Sequence, residues 1–428
     1  LVLEIVRAGY PAVQAAFLEE RPEPASASAA ADEANGELGV GVGVNWERLT
    51  AGRSGIVPNT RFDTSAFSSR IAGLVPDKAD DAHGFDPLDF MDSKDVRKTD
   101  YFIRYALGAA TEAIAQSGWA PQTEADRQAT AVIIGTGVGG SPIMAETVIT
   151  IVDKGPRRVS PFALPSFLAN LAAGWISIRY GFKGPMGTPV TACAASAQAI
   201  GDGMRLIRTG EADVAVVGGA EGSIDILSVG GFGAARALST GNNDNPTAAS
   251  RPFDKARDGF VPAEGSAILV IERLSHALAR GATPLAVIAG YGTSGDAYHL
   301  TAGDPTGAGA QVSMGKALKM AGLSPGDIDY INAHATSTAV GDAAEIAAIS
   351  GVFTNRGKDL AISSTKSSTG HLLGSAGAIE ALYAVQALRT GVLPPTLNLD
   401  EPDVGEQFDL VPKVAKHKAI RHALSNSF

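Results

Sequence analysis

PVTACAASAQAIGDG, residues 189–203, carries the only cysteine of the chain, Cys193, between two kinds of sequence. A β-branched run ends at Thr191, and the residues after the cysteine are Ala-rich at helical spacing. The switch puts Cys193 at a strand-to-helix turn near a helix N-terminus. Unpaired N–H groups and the helix dipole there favour a thiolate. Two roles are open to this thiol. Most lone cysteines are small buried hydrophobes; one at such a turn is also placed to be a nucleophile.

Outward from Cys193 the same alternation recurs. Short apolar, β-branched runs stand at 129–137, 188–193, 213–219, 266–272, 284–292, 328–334 and 360–366. Between several of them lie DYFIRYALGAATEAIAQSG, SAQAIGDGMRLIRTG, GAQVSMGKALKMAG and AGAIEALYAVQALRTG. Each of these reads as a helix closed by glycine, which takes the left-handed conformation at the C′ position without steric cost. Continuous apolar strands alternating with helices predict an α/β protein with buried sheets. Residues 21–37, RPEPASASAAADEANGE, lack apolar periodicity and read as a linker. Residues 70–100 read as an excursion from the core.

The 428 residues suffice for about three domains or one large duplicated core. Hydrophobic residues are 45% and charged residues 19%, which excludes a mainly disordered chain. Thirty-five Lys and Arg against 45 Asp and Glu leave a net charge of −10, the wrong sign for a nucleic-acid binder. No apolar run reaches the roughly 20 residues of a membrane helix. One cysteine excludes an intrachain disulfide and a cysteine-clustered zinc site, and fits a reducing compartment.

Two of the seven histidines stand where strands end. His334 closes IDYIN and opens the polar turn ATST, and His371 lies in TKSSTGHLLGSAG after LAIS. Strand ends that meet loops are the usual site positions of layered α/β folds. No histidine pair or acidic pair has metal-ligand spacing. GTGVGG (135–140) matches G-x-G-x-x-G, with Asp153 downstream, but the stretch between is short for a helix plus a second strand.

Together these segments resemble the elongating β-ketoacyl-acyl carrier protein synthases, the KAS I/II group, type II in particular. VTACAAS resembles the nucleophile motif. INAHATST (331–338), followed by GDAAE, resembles the first histidine motif. TKSSTGHLLGSAGAIE (365–380) resembles the motif with a lysine, the second histidine and a glutamate. RPFDKARDGFV, GGFGAARALS, SIRYGFKGP, GYGTSGDAYHLTA and ALSNSF add further matches, over about Leu38 to Phe428. The family usually opens with a strand of which only the end is visible here, as ELGVGVGVNWERL. In the family, N-S-F is followed by a Gly-rich loop and a last strand that begins L-V-L or L-V-F. Residues 1–6, LVLEIV, resemble that strand.

The resemblance implies a thiolase-like α/β fold: two similar βαβαβαββ halves in an α-β-α-β-α sandwich. The halves would be 38–275, with the nucleophile, and 276–428, with the histidines, after an atypical segment 1–37. It implies a 3-oxoacyl-acyl carrier protein synthase of fatty acid elongation, an acyltransferase performing decarboxylative Claisen condensation. The alternatives are a type II polyketide ketosynthase and a catalytically impaired scaffold subunit. Cys193 would be the nucleophile, and His334 and His371 the donors to the enolate oxygen. Lys366 and Glu380 would hold His371. Phe232, Thr336, Thr338 and Phe428 would line the substrate site. The oxyanion donors would be the N–H of Cys193 and one in the Gly-rich loop beyond Phe428. Lys94, Arg97 and Lys98, neighbours on one helical face, would dock acyl carrier protein. No cofactor and no metal are implied; a homodimer and a cytoplasmic location are.

Overall fold

The computed structural model describes residues 1–5, 38–300 and 302–428; the predicted linker at 21–37 lies outside the described residues. Two sheets carry the architecture. The first holds β4 (Thr130–Gly135), β5 (Met186–Gly187), β6 (Val214–Glu221) and β7 (Gly265–Glu272) in the order β5-β4-β6-β7. β4 runs parallel to β5 and β6, with Thr130 opposite Val214 and Gly135 opposite Gly219, and β7 is antiparallel to β6.

The second sheet has the order β10-β9-β13-β1-β8. Its strands are β1 (Val2–Ile5), β8 (Ala286–Gly290), β9 (Tyr330–Asn332), β10 (Ala361–Ser363) and β13 (His422–Ser425). β9 is parallel to β10 and β13, while β1 is antiparallel to β13 and to β8. The first four places of the two sheets therefore match, direction included. β1 fills in the second sheet the place β7 fills in the first. Two small antiparallel ladders, β2 (Ile56–Pro58) with β3 (Ile71–Gly73) and β11 (Val392–Leu393) with β12 (Lys416–His417), sit outside them.

Strand residues alternate between faces with period two, and the cores follow that alternation. Ala131, Ile133, Ala215 and Val217 enter a central core, together with Tyr330, Ala361 and Ala423 of the second sheet. Val132, Ile134, Val214 and Val216 face an outer core under helix Tyr101–Ser117. Ile331, Ile362 and Leu424 face a third core with Met314, Leu318 and Ile349. The central layer is two helices, Ala195–Thr209 and Ala376–Thr390, packed between the sheets. The second is buried from Ala376 through Leu388, which explains its apolar character on every side. The layers run α-β-α-β-α, the thiolase-like arrangement expected.

All four predicted helices end at glycines, and Gly118, Gly210, Gly322 and Gly391 each adopt left-handed φ. One predicted strand is corrected. TPVTAC is not a strand; the ladder holds only Met186 and Gly187. Pro185 and Pro189 flank it without N–H groups to donate, and their carbonyls accept from Val132 and Thr136. Among the described residues no helix is long and apolar enough to cross a membrane.

Candidate active site

Cys193 lies in a single 3-10 turn, Ala192–Ala194, that runs into helix Ala195–Thr209. Ala192 takes φ 48° to make the turn, a conformation that costs an L-residue of order 1–3 kcal/mol and persists only where its surroundings impose it. His334 follows β9, and His371 follows a short helix, Lys366–Thr369, after β10.

The three come together from distant segments. His371 Nε2 stands 2.9 Å from Cys193 Sγ. The two imidazoles meet edge to face at 5.2 Å between centroids, and one ligand atom each of Cys193, His334 and His371 falls within a 4.8 Å cluster. Phe260 abuts His371 at 5.3 Å, and Phe428 abuts His334 at 5.6 Å.

The charged network departs from the expectation that it holds His371. Lys366 is fully buried and paired with Glu380, and its Nζ lies 3.3 Å from Nδ1 of His334. An ammonium only donates, so His334 accepts at Nδ1 and keeps its proton on Nε2. His371 Nδ1 has no hydrogen-bond partner among the described residues, which leaves both tautomers open to it. Burial, then Lys366, push the pKa of both histidines well below the ordinary range, with His371 a further cause at His334; both rings are neutral. Burial pushes Glu380 up to about 7 against the pull of Lys366.

The thiol is also corrected. Burial pushes Cys193 up to about 11, an effect that Lys366 opposes and Glu221 reinforces. The resting sulfur is therefore a neutral thiol that gives up its proton on reaction, with His371 Nε2 in reach.

Thr338 caps helix Ala339–Val352 by accepting from Gly341 N–H, and its hydroxyl meets that of Thr336 at 3.1 Å. Phe232 packs edge to face on Phe260 at 5.2 Å, in the cluster that includes Cys193. Lys94, Arg97 and Lys98 do not share a helical face. The helix there is Ser93–Val96, Arg97 caps it and Lys98 lies beyond it. Lys94 pairs with Asp92, and Lys98 with Asp95 while resting over the Phe162 ring. Asp153 lies inside helix Ser141–Lys154 rather than after a second strand, which removes the dinucleotide reading of GTGVGG.

Glu345 was not anticipated. Its carboxylate accepts from the N–H of His334 at 2.9 Å, of Ala335 at 2.7 Å, and from Asn426 Nδ2 at 2.9 Å, and so fixes the turn that carries His334. The available signal was Asp342 and Glu345, three apart in the otherwise apolar AVGDAAEIAAISGV. An apolar cavity of about 550 Å³, lined in part by Met204, Ile207, Leu285 and Ile288, lies toward the opposite end of the Cys193 helix.

Residues 37–277 match the profile of the Beta-ketoacyl synthase N-terminal domain, and residues 285–400 that of its C-terminal domain. The chain is 48% identical over 391 residues to "3-oxoacyl-[acyl-carrier-protein] synthase 2" of Rhizobium meliloti, covering 91% of this chain and 93% of that protein. It is 45% identical over 392 residues to the protein of the same name in Coxiella burnetii, covering 91% and 92%. Among solved structures, a type II PKS ketosynthase bound to its acyl-carrier protein and a hexaketide superposes with TM-score 0.82 at 30% identity, covering 94% of this chain and 96% of that one.

Proposed function

Because the chain belongs to the β-ketoacyl synthase family, we propose that it is a 3-oxoacyl-acyl carrier protein synthase of fatty acid elongation, with Cys193 as nucleophile. The observation that carries this reading is the 2.9 Å approach of His371 Nε2 to Cys193 Sγ, with a second neutral imidazole, His334, against it.

The groups suit a condensation in two stages. In the first, Cys193 sulfur attacks the acyl thioester. Its proton passes through His371 Nε2 to the departing carrier thiol, and the acyl group stays on sulfur. In the second, malonyl-carrier protein loses carbon dioxide. His334 Nε2–H donates to the enolate oxygen that forms, and His371 joins it in its Nε2–H tautomer once the sulfur is acylated. The enolate carbon attacks the acyl carbon, the new C–C bond replaces the C–S bond, and the thiolate takes up one proton. Fatty acid elongation is favoured over polyketide synthesis by the 45–48% identity to the elongation enzymes against 30% to the polyketide ketosynthase.

Acyl carrier protein as partner rests on those relatives and on the exposed Lys94 and Arg97. A homodimer is supported by large apolar side chains left in solvent, among them Val148, Val152, Leu164 and Ile178, and by β5 at its sheet edge; patches of this kind mark protein interfaces. The place of β1 beside β13 supports reading residues 1–6 as the last strand of the second half. The test is incubation with acyl- and malonyl-carrier protein, read by mass spectrometry. A 3-oxoacyl product and an acyl adduct on Cys193 are expected; absence of both overturns the proposal.

A further inference from the structure

The internal duplication pairs two turns that carry different side chains. Ala192–Ala194 and Leu373–Ser375 are both 3-10 turns, and each opens on a left-handed residue, Ala192 at φ 48° and Leu373 at φ 45°. Each runs into a helix of 15 residues closed by a left-handed glycine, Gly210 or Gly391. The offset is the same at both ends, 373 − 192 and 391 − 210, or 181 residues. Position 193 therefore corresponds to 374: a cysteine in one half, a glycine in the other.

The Gly374 N–H donates to Glu221 Oε2 at 3.1 Å, and the Gly137 N–H donates to the same oxygen at 2.7 Å. Two backbone N–H groups converging on one oxygen is how a protein holds an oxyanion; here the protein's own carboxylate fills the pair. Ser223 donates to Oε1 at 2.5 Å and Thr136 at 3.5 Å. Glu221 is fully buried, and among the described residues no lysine or arginine forms an ion pair with it. Gly374 is sterically required, and a side chain on Gly137 would displace the carboxylate. A Cβ on Gly374 would lie 2.0 Å from the Gly137 nitrogen, and one on Gly137 would lie 2.7 Å from Glu221 Oε2.

The clamped turn begins two residues after His371. The histidine's backbone is tied on its other side, its N–H to Val261 O at 2.8 Å and its carbonyl to Ala263 N at 3.0 Å. Its Nδ1 has no partner among the described residues, so ring direction depends on packing and on where the backbone is held. We propose that Glu221 is a positioning residue for His371: by tying the Gly374 N–H of the second-half turn to the Gly137 N–H of the first half, it aims the imidazole at Cys193. The same carboxylate is close enough to Cys193 to oppose ionisation of the thiol. The kinetic consequence rests on the condensing reading above; the effect on the thiol does not.

The test compares Glu221→Gln and Glu221→Ala by malonyl-carrier protein decarboxylation, by iodoacetamide alkylation of Cys193 against pH, and by thermal unfolding. Glu221→Ala is expected to lower decarboxylation kcat about tenfold or more with KM changed less than about twofold. Glu221→Gln keeps an acceptor oxygen and restores most of the rate. Alkylation of Cys193 slows in Glu221→Ala and recovers in Glu221→Gln, because His371 Nε2, which stands 2.9 Å from the sulfur, no longer faces it in the first. Decarboxylation by folded Glu221→Ala within about twofold of the unchanged protein overturns the proposal, as does a Gln variant no better than Ala. If Glu221→Ala does not fold, Glu221→Asp, one methylene too short to reach both N–H groups, takes its place, and decarboxylation within about twofold of the unchanged protein overturns the proposal. A natural-sequence protein that never decarboxylates would sink the condensing reading instead, and the alkylation profile would still decide the role of Glu221.

Discussion

Lys366 Nζ reaches Nδ1 of His334 across 3.3 Å and makes no hydrogen bond to His371. That contact holds the His334 proton on Nε2, where an enolate oxygen can use it, and Glu380 holds the ammonium in place. Lys366→Met should cut malonyl decarboxylation about a hundredfold, the scale of one lost preorganised donor. It also leaves the Glu380 carboxylate buried and unpaired, at a cost of about 3–5 kcal/mol. Lys366→Met with Glu380→Leu should recover stability in urea unfolding without recovering decarboxylation. Recovery of both would show that the pair is structural.

The thiol makes a prediction in pH. With Cys193 pushed up to about 11, the resting sulfur stays protonated at neutral pH. A raised acid pKa means that the reactive anion grows in as pH rises, so the rate of iodoacetamide alkylation should still be climbing between about pH 8 and 10. A plateau reached by pH 7 would mean a preformed thiolate. Cys193→Ala should abolish the acyl adduct seen by intact mass while leaving the fold unchanged.

The histidines answer to pH with the opposite sign. Their pKa values lie well below the ordinary one, so both rings stay neutral as pH falls through about 6, where a solvent-exposed imidazole would be mostly protonated. Decarboxylation should show no imidazole titration between pH 7.5 and about 6. His334→Ala should lose decarboxylation and keep acylation of Cys193. His371→Ala should lose part of both, since only its Nε2 touches the sulfur.

Carrier docking divides among the basic residues by their partners. Lys98 is held by Asp95 and Phe162, while the Arg97 side chain stands in solvent. Arg97→Glu should raise KM for carrier-linked substrate more than Lys98→Glu does. Neither should alter KM for a pantetheine-linked substrate, and the difference should shrink with salt, since exposed charges are screened beyond roughly 8–10 Å. Equal impairment with both substrates would place docking elsewhere.

Glu345 links stability to the site. Glu345→Ala would orphan the buried N–H groups of His334 and Ala335, each worth about 1–3 kcal/mol. The protein should unfold at lower denaturant, and decarboxylation should fall because the turn that carries His334 is loosened. Unchanged kinetics in a destabilised variant would confine Glu345 to folding.

What the sequence determined by itself was local. Glycine after an Ala-rich stretch stopped four helices where they do stop, because only residues at ease with positive φ close a helix in that way. The run up to Thr191 and the helix after Cys193 placed the thiol at a turn, although prolines at 185 and 189 reduced the strand before it to Met186–Gly187. His334 and His371 were visible as strand-end residues. The tertiary structure decided which groups meet. Cys193 and His371 are 178 residues apart in the chain, and no spacing in the sequence says that Lys366 faces one histidine and not the other. It also decided the electrostatics: burial raises the Cys193 pKa, and desolvation acts through all the surrounding atoms rather than through neighbours in sequence. Glu221 gave no signal, and Glu345 only its place in GDAAE, for the same reason. A glutamate is ordinarily a surface residue, and only folding brought backbone N–H groups from separate segments to hold these two.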